Sequence, residues 1–418
     1  MNQAFLGVLS GVLLTAAACN SQTPSQSSGA RTSPETVVDT TGAPVETKAP
    51  NTTYKPAFAG QTRIGSVKTT TPYEVTVLNT TLKSPWALTE LPDGRWLITE
   101  KGGVLRIASK DGSLSNPITG IPPVNARGQG GLLGITLDPA FSSNRMVYWV
   151  FAEPMANNES VTAVGKGRLS DNESTIENAV VIYRATPATS KGNLHYGGRI
   201  LFDKTGALIV STGERSDKST RPQSQDLQSG LGKLVRITTD GQPATGNPFA
   251  GQANARPEIY SYGHRNVQSL AFHPQTGDLW EAEFGPRGGD ELNLIRPGKN
   301  YGWPTISYGI EYSGEALEGS RTQQEGMEQP VYYWDPTLSP SGMTFYSGDA
   351  IPEWKNNLFI GGLSSMHIAR LVIKNNKVVG EERIAEDQKD RFRDVQAGKD
   401  GALYAVSDGG KLYRIGKK

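Results

Sequence analysis

Short runs of alternating hydrophobic and polar residues make up most of the chain, and clusters of Gly, Asp, Asn and Pro separate them. From about residue 63 to residue 415 the runs are typical of β-strands, with hardly any helical periodicity. One pattern recurs: apolar residues, a polar turn with Gly or Asn, and then an alternating apolar strand. A clear copy runs from Phe202 to Val210, with its turn at Gly206.

About six copies of this pattern occur, with turns near residues 94, 144, 206, 277, 357 and 401. Such spacings suit one four-stranded blade per copy, with insertions in some loops. The sequence therefore predicts an all-β fold, a six-bladed β-propeller with four antiparallel strands per blade. The segment at residues 74–78 is expected to pair with the last strands, near residues 411–415, and so to close the ring. A two-sheet sandwich is the alternative, which the repeat disfavours.

The first 60 residues have a different composition. An apolar run from Ala4 to Ala18 is too short to span a bilayer and suits a signal peptide. It ends at Cys19, so residues 1–19 are predicted to be a signal peptide with a lipoprotein cysteine; a plain secretory peptide cut near Ala18 is the alternative. Residues 20–60 are rich in Ser, Thr and Pro and are predicted to form a disordered tether. Residues 61–418 are predicted to form the propeller, which is the catalytic domain. We expect an exported protein, periplasmic or held on a membrane by its N-terminal lipid.

Composition excludes several function classes. The 42 Lys and Arg residues balance 41 Asp and Glu residues, which gives no positive field for binding nucleic acid. Because Cys19 is the only cysteine, a disulfide within the chain, a zinc site built on cysteines and a catalytic thiol in the propeller are all excluded.

Three polar, glycine-rich segments lie near predicted strand ends, where the loops of a propeller converge. In the first, residues 128–134, the glycines allow close backbone approach and Gln129 offers a donor and an acceptor. In the second, His195 precedes a strong strand, and the nearby glycines are expected to open space around its ring, which suits a general base near neutral pH; a structural histidine is the alternative. In the third, Arg265 is suited to bind a carboxylate or carbonyl oxygen, and a surface ion pair is the alternative.

Two further segments suggest ions. Turn carbonyls and acidic side chains in residues 283–304 are the hard oxygen ligands that calcium takes, although a solvated acidic hairpin is the alternative. Arg391 and Arg393 are two apart on a predicted strand, so they share one face and suit a multiply anionic ligand. The alternative is a structural pairing with Asp394 or with the acidic stretch 381–390.

Together these segments resemble the soluble pyrroloquinoline quinone-dependent sugar dehydrogenases, in particular the bacterial aldose sugar dehydrogenase branch. The motifs occur in the family's order: Gly-Gln-Gly-Gly-Leu-Leu-Gly, His-x-Gly-Gly-Arg, Ser-Tyr-Gly-His-Arg-Asn, Gly-Pro-Arg-Gly-Gly-Asp-Glu-x-Asn, Gly-Lys-Asn-Tyr-Gly-Trp-Pro and Ser-Pro-Ser-Gly-Met. The resemblance implies a six-bladed propeller that oxidises aldose sugars at the anomeric C1 hydroxyl to lactones. It implies pyrroloquinoline quinone and Ca²⁺ as cofactors, and a small electron acceptor such as a quinone or a cytochrome.

The resemblance also implies roles for residues. His195 would take the proton of the anomeric hydroxyl while hydride passes to C5 of the quinone, and Arg265 would bind the oxygen on the reacting carbon. Cofactor-contacting positions, besides these two, are Gln129, Tyr312, Ser364, Arg391 and Arg393. Main-chain carbonyls of Gly285 and Pro286 would bind one calcium, and Glu291 with the carbonyl of Tyr301 a second, structural one.

Two positions depart from the family. In the glucose-oxidising branch an Asp precedes the catalytic His, whereas this chain has Leu194, so broad use of aldoses is expected. Ser364 stands where the family often has a lysine on the cofactor, and losing that cation is expected to weaken quinone binding.

Two other functions suit a propeller. A calcium-dependent lactonase would need Asn, Asp and Glu side chains converging from several blades, and it would leave Arg391 and Arg393 without a ligand. A non-catalytic binding propeller would be expected to lack His195 or Arg265, yet both are present.

Overall fold

A computed structural model describes Met1 and residues 41–418. Residues 2–19 of the predicted signal peptide, with Cys19, and residues 20–40 of the predicted tether lie outside the described residues. Within the described part of the chain, none of the helices is long and apolar enough to cross a membrane.

The described residues form six antiparallel sheets, which we number as blades 1 to 6. Blade 1 contains β2 (Pro85–Glu90), β3 (Trp96–Glu100) and β4 (Val104–Ala108); blade 2 contains β5 (Leu132–Leu137), β6 (Met146–Pro154), β7 (Ser160–Leu169) and β8 (Ile176–Arg184); blade 3 contains β9 (Ile200–Phe202), β10 (Leu208–Ser211), β11 (Lys233–Ile237) and β12 (Ile259–Tyr262). Blade 4 contains β13 (Val267–Phe272), β14 (Leu279–Glu283), β15 (Asp290–Ile295) and β16 (Tyr332–Trp334); blade 5 contains β17 (Pro340–Phe345), β18 (Leu358–Gly362), β19 (Ile368–Lys374) and β20 (Lys377–Ile384); blade 6 contains β21 (Phe392–Ala397), β22 (Leu403–Ser407), β23 (Leu412–Lys417) and β1 (Tyr73–Asn79). Among residues 41–418 the helices are short: α1 (Phe141–Asn144) and four 3₁₀ segments at Ala156–Asn158, Arg221–Ser224, Pro352–Trp354 and Glu386–Gln388.

The predicted repeat is confirmed. Each of the six predicted turns lies between the first and second strands of its blade, and the turn near residue 144 is the single helical turn α1. The first strands of successive blades contact one another in a ring and line a central channel. The chain is therefore a six-bladed β-propeller.

Ring closure also follows the prediction. The early strand β1 joins the last blade and pairs antiparallel with β23, with Val75 opposite Ile415. Blade 6 is thus built from both ends of the propeller sequence, so separating the ends requires breaking this ladder.

Blade 1 has three strands rather than the predicted four. Beyond β4 the chain makes two isolated bridges, Leu105 with Ile118 and Ala108 with Leu114, and between them the Ser115 N–H donates to the Ile107 carbonyl at 2.8 Å. The Ile107 N–H donates to the Ser115 hydroxyl at 2.9 Å instead of to a backbone carbonyl, so the regular ladder of a fourth strand is interrupted here.

Apolar clusters fill all six interfaces between blades. Trp96, Trp149, Trp280 and Trp354 are among the largest fully buried side chains. Burying such aromatic area between sheets stabilises the ring and leaves the strand ends at the channel free for polar side chains.

Part of the predicted tether contacts the propeller. The backbone N–H groups of Asn51 and Thr52 donate to the Asp335 carboxylate at 2.8 and 3.1 Å, and Arg63 donates to the carbonyls of Glu46 and Asp335. The boundary between tether and catalytic domain at residue 61 stays a prediction.

Candidate active site

A polar cavity of about 400 Å³ lies at the mouth of the channel where the first strands of the blades begin. All six blades contribute to its wall. From the predicted site, the wall includes Gln129, His195, Gly285, Pro286, Tyr312, Arg391 and Arg393. Four predicted residues do not line it: Arg265, Ser364, Glu291 and Tyr301.

His195 lies on this wall just before β9, and only 4% of it is exposed. Its backbone N–H donates to Gln129 Oε1 at 2.8 Å, and its Nδ1 lies 2.5 Å from Glu214 Oε1. A carboxylate at this distance holds the ring proton on Nδ1, so Nε2 is the nitrogen that can accept another proton.

The surroundings of His195 keep its imidazole neutral. Burial, followed by the positive charge of Arg265, lowers the pKa of His195 to about 4, although the Glu214 carboxylate opposes this shift. A general base must be unprotonated before it acts, and this ring is unprotonated throughout the neutral range.

Glu214 is a site residue that the sequence analysis missed. It follows β10, is 1% exposed, and its backbone N–H donates to the Arg265 carbonyl at 3.0 Å. Its Oε2 is buried without a hydrogen-bond partner. The available signal was an acid shortly after a strongly apolar strand, but its separation of 19 positions from His195 hides the contact.

The glycines after His195 serve the backbone rather than opening space around the ring. Gly197 has φ of 67°, and a Cβ there would lie 2.7 Å from the Ser211 carbonyl oxygen. Glycine is therefore required for the loop to pack on the end of β10.

Arg265 lies behind the cavity wall. Its guanidinium donates to the carbonyls of Phe284 and Gly285 at 3.2 and 2.7 Å, and it is 5.0 Å from the ring centroid of Trp303. Its Nε is buried without a partner. The Glu283 carboxylate accepts its backbone N–H at 2.5 Å and so fixes this segment. Arg265 acts on His195 through its charge and on the cavity through Gly285.

Arg391 and Arg393 share one face, as their spacing predicts. Both line the cavity and both contact one carboxylate: Asp408 Oδ2 is 2.9 Å from Arg391 Nε, and Asp408 Oδ1 is 2.8 Å from Arg393 Nε. The alternative pairing with Asp394 is wrong, because that carboxylate lies 3.0 Å from Arg199 instead. Asp408 leaves the pair with a net positive charge.

Arg199 and Asp394 do not line this cavity, but Arg199 contacts three residues that do. The Arg199 guanidinium stacks 4.2 Å from Trp86 and donates to the carbonyls of Gln268 and Arg393. These contacts cross the channel between blades 1, 3, 4 and 6, and a second cavity of about 320 Å³ lies on the far side. Arg199 therefore lies between the two cavities.

Tyr312 and Ser364 lie at the margin. Tyr312 stands on the long loop between β15 and β16 and is 70% exposed, while its neighbour Glu311 is 2.6 Å from Arg221. The Ser364 hydroxyl lies 2.7 Å from that of Ser339, which does line the cavity. Ser364 thus reaches the cavity only through another hydroxyl.

The residues predicted to bind the first calcium offer suitable oxygen atoms. Gly285 and Pro286 lie on the wall beside Asp290. Asp290 accepts N–H groups of Gly285 at 2.8 Å and Ser339 at 2.6 Å, which fixes this loop. Main-chain carbonyls held beside a carboxylate match the hard ligands that calcium prefers.

A buried acidic cluster surrounds the predicted second calcium site. His264, Glu281 and Glu283 place one ligand atom each within 4.8 Å of one another. The Asn293 amide bridges Glu281 and Glu291 at 2.8 and 3.2 Å. Glu281 Oε2 and Asn293 Oδ1 are buried and have no hydrogen-bond partner. Unsatisfied oxygens of this kind fit a cation.

Electrostatics in this cluster also favour a cation. Burial, followed by the charge of Glu283, raises the pKa of Glu281 and that of Glu291. The ring of Tyr301 stacks on His264 with centroids 4.9 Å apart, so this predicted ligand lies beside the cluster. Three carboxylates in one buried site need protons or a cation to balance them.

Comparison with known proteins is decisive at the level of the family. The profile of the Glucose / Sorbosone dehydrogenase family matches residues 82–414, which span all six blades.

The chain belongs to this family.

Several relatives cover most of the chain. An aldose sugar dehydrogenase of Escherichia coli is 43% identical over 345 residues, which are 82% of this chain and 92% of that protein. The solved structure of a soluble aldose sugar dehydrogenase from Escherichia coli in the apo-form superposes with a TM-score of 0.79 at 41% identity, covering 83% of this chain and all of that one. The PQQ-bound form of an aldose sugar dehydrogenase from Streptomyces coelicolor gives a TM-score of 0.68 at 31% identity, with 84% and 99% covered.

Membership in the Glucose / Sorbosone dehydrogenase family confirms the predicted resemblance, and with it the interpretation of the chain as an oxidoreductase of the sugar dehydrogenase class. The individual roles of the site residues, the calcium ions and the electron acceptor stay predictions.

Proposed function

We propose that this chain oxidises aldose sugars at the anomeric C1 hydroxyl to lactones, with pyrroloquinoline quinone and Ca²⁺ as cofactors. The observation that carries the proposal is the His195–Glu214 pair at 2.5 Å, buried on the wall of a cavity that Arg391 and Arg393 also line. A neutral base and an anion-binding face in one pocket suit proton abstraction beside a polyanionic cofactor.

His195, Glu214 and Arg265 have separate roles in the proposed reaction. Pyrroloquinoline quinone, when bound, supplies the hydride acceptor at its C5 carbon. Nε2 of His195 takes the proton of the sugar hydroxyl, and Glu214 stabilises the resulting imidazolium through Nδ1. Arg265 donates to the oxygen of the reacting carbon, which requires its guanidinium to turn from the carbonyl of Gly285 toward the cavity.

The substrate side of the pocket is partly apolar. Leu194, beside the base, lines the cavity and is 39% exposed. A leucine offers no hydrogen bond to a sugar hydroxyl, so this position does not select one arrangement of hydroxyl groups. We infer broad use of aldoses, with electrons passed from the open mouth to a small external acceptor, and export of the protein to the periplasm or the outer face of a membrane.

Calcium would occupy two places. The carbonyls of Gly285 and Pro286 would hold one ion at the cavity wall, and Glu291 with the carbonyl of Tyr301 a second in the acidic cluster. The unpartnered oxygens of Glu281 and Asn293 support the second, because an ion there would satisfy them.

The lactonase alternative loses support from the cavity. It predicts Asn, Asp and Glu side chains from several blades, whereas Asp290 is the one such side chain among the described residues that line the cavity. The cationic pair also has a use in the proposed function and none in the lactonase.

The proposed function is tested with the purified full chain. The apoprotein, loaded with Ca²⁺, is titrated with pyrroloquinoline quinone, and the reduction of an artificial dye is followed with a panel of aldoses. Saturable reduction that depends on both quinone and sugar is the expected result. Quinone binding without turnover on any aldose would overturn the substrate class, and absence of binding would overturn the proposal.

The pH dependence of turnover should report the low pKa of His195. Because the neutral ring is the base, activity is lost as pH falls through the pKa and is present above it. We expect kcat/KM to stay on its plateau at pH 6 and to fall with a midpoint near the pKa of about 4. Dye reduction between pH 3.5 and 8, with circular dichroism as a check of folding, measures this; a midpoint near 6.5 would contradict it.

Calcium should stabilise the chain through the acidic cluster, without any quinone. At about a hundredfold excess over Kd, binding is expected to raise Tm by about 5 °C. Glu281→Gln should show a higher Tm than the parent in chelator, since one buried repulsion is removed, and a smaller rise with Ca²⁺. Exposed Glu318→Gln is the matched control. Equal calcium shifts in both variants would exclude Glu281 from the site.

A further inference from the structure

A cluster of positive charge occupies one side of the cavity. Lys101, Arg391 and Arg393 all line it, and Asp408 is the carboxylate between the two arginines. Lys101 follows β3 in blade 1, which packs directly against blade 6, the blade of the arginines. The lysine therefore approaches the arginines from the neighbouring blade.

The Lys101 ammonium is held toward the cavity. Its Nζ donates to the carbonyl of Gly128 at 2.8 Å. Gly128 precedes Gln129, whose side chain accepts the N–H of the proposed base His195. One hydrogen bond leaves two further ammonium hydrogens for a ligand.

Keeping these cations together is unfavourable without an anion. Burial, followed by the charge of Arg393, lowers the pKa of Lys101, and Asp408 only partly opposes this. Three cations around one carboxylate leave an excess of two positive charges in a partly buried pocket, which a polyanion would neutralise.

Ser364 supplies no such charge. It lies on blade 5, on the opposite side of blade 6 from Lys101, and its hydroxyl contacts Ser339. A family lysine is absent at this position, yet the pocket still holds a third cation from blade 1.

We infer that Lys101 binds the carboxylate edge of the quinone together with Arg391 and Arg393, and that it supplies from blade 1 the cation missing at Ser364. This inference rests on the proposed function. Three cations then face a cofactor that carries three carboxylates, and the cofactor is clamped between blades 1 and 6.

Equilibrium binding tests the inference separately from turnover. Calcium-loaded apoprotein is titrated with pyrroloquinoline quinone, and the quenching of tryptophan fluorescence is followed at low and high salt. Lys101→Gln should weaken binding about tenfold or more, the effect of losing one hydrogen bond between charged groups. Its affinity should also depend less on salt than that of the parent. Lys101→Arg should retain affinity, and exposed Lys204→Gln, on the hairpin at the opposite mouth, is the matched control.

A second variant separates charge from local structure. Because Lys101 also holds Gly128, its replacement could disturb the neighbouring loop. The double variant Lys101→Gln/Ser364→Lys returns the charge from the other side, and restored affinity would support a role through charge. If the parent binds quinone and the variants Lys101→Gln and Lys204→Gln bind it with equal affinity, the inference is overturned and the proposed function stands. Failure of the parent to bind quinone would overturn the proposed function itself.

Discussion

Replacing His195 by asparagine should lower turnover about 10²- to 10⁴-fold, the usual contribution of a general base, while quinone binding is kept. Asparagine is chosen because His195 has φ of 48°, in the left-handed region that asparagine tolerates. The amide cannot accept the sugar proton, so the loss should fall on kcat. Steady-state dye reduction and a separate quinone titration measure the two properties.

The matched control is His273→Asn. His273 is also buried, and its ring accepts N–H groups of Gln275 and Thr276 in the β13–β14 hairpin, at the opposite end of the channel. Its turnover should equal that of the parent. If folded His195→Asn keeps more than a tenth of the parental turnover, His195 does not act as the base in the chemical step.

The second large effect is expected on affinity. The double variant Arg391→Gln/Arg393→Gln should bind pyrroloquinoline quinone at least about a hundredfold more weakly, since two hydrogen bonds between charged groups are lost. Titration of the calcium-loaded apoprotein measures this. Arg414→Gln in the same blade, which breaks an exposed pair with Asp400, is the control and should not change affinity.

A purely structural role for the two arginines makes a different prediction. If they serve only to pair with Asp408, the double variant should lower Tm and leave quinone affinity unchanged. Asp408→Asn distinguishes the roles further: it removes the competing carboxylate, so a ligand role predicts equal or tighter binding at low salt.

The repeat was predictable because it depends on local chemistry. Each hairpin needs a turn residue such as Gly206 between two apolar runs, and these features lie within about ten residues of one another. Ring closure by β1 was predictable for a related reason, since Val75 belongs to an alternating strand that lies outside the repeated units. Four strands were wrongly predicted for blade 1, because the repeat does not show that the Ser115 hydroxyl takes the place of a backbone carbonyl beside β4.

The ion pairs inside the site were harder to predict from the sequence. Arg391 and Arg393 face the same way because a strand alternates with period two, which the sequence shows. Their partner, Asp408, comes from the next hairpin, and nothing in the spacing distinguishes it from Asp394. Register between strands decides this, and register depends on how whole sheets pack.

The chain's sequence alone was sufficient for the propeller, for its family resemblance and for the candidate base, because turns, alternation and contiguous motifs are local. Only the folded ring brought Glu214 to His195, placed Arg265 behind the wall, and put Lys101 and Arg393 from different blades on one cavity wall. Those contacts join residues from different hairpins or blades. Their distances follow from the closure of six packed sheets around one channel, and a linear pattern carries no measure of that closure.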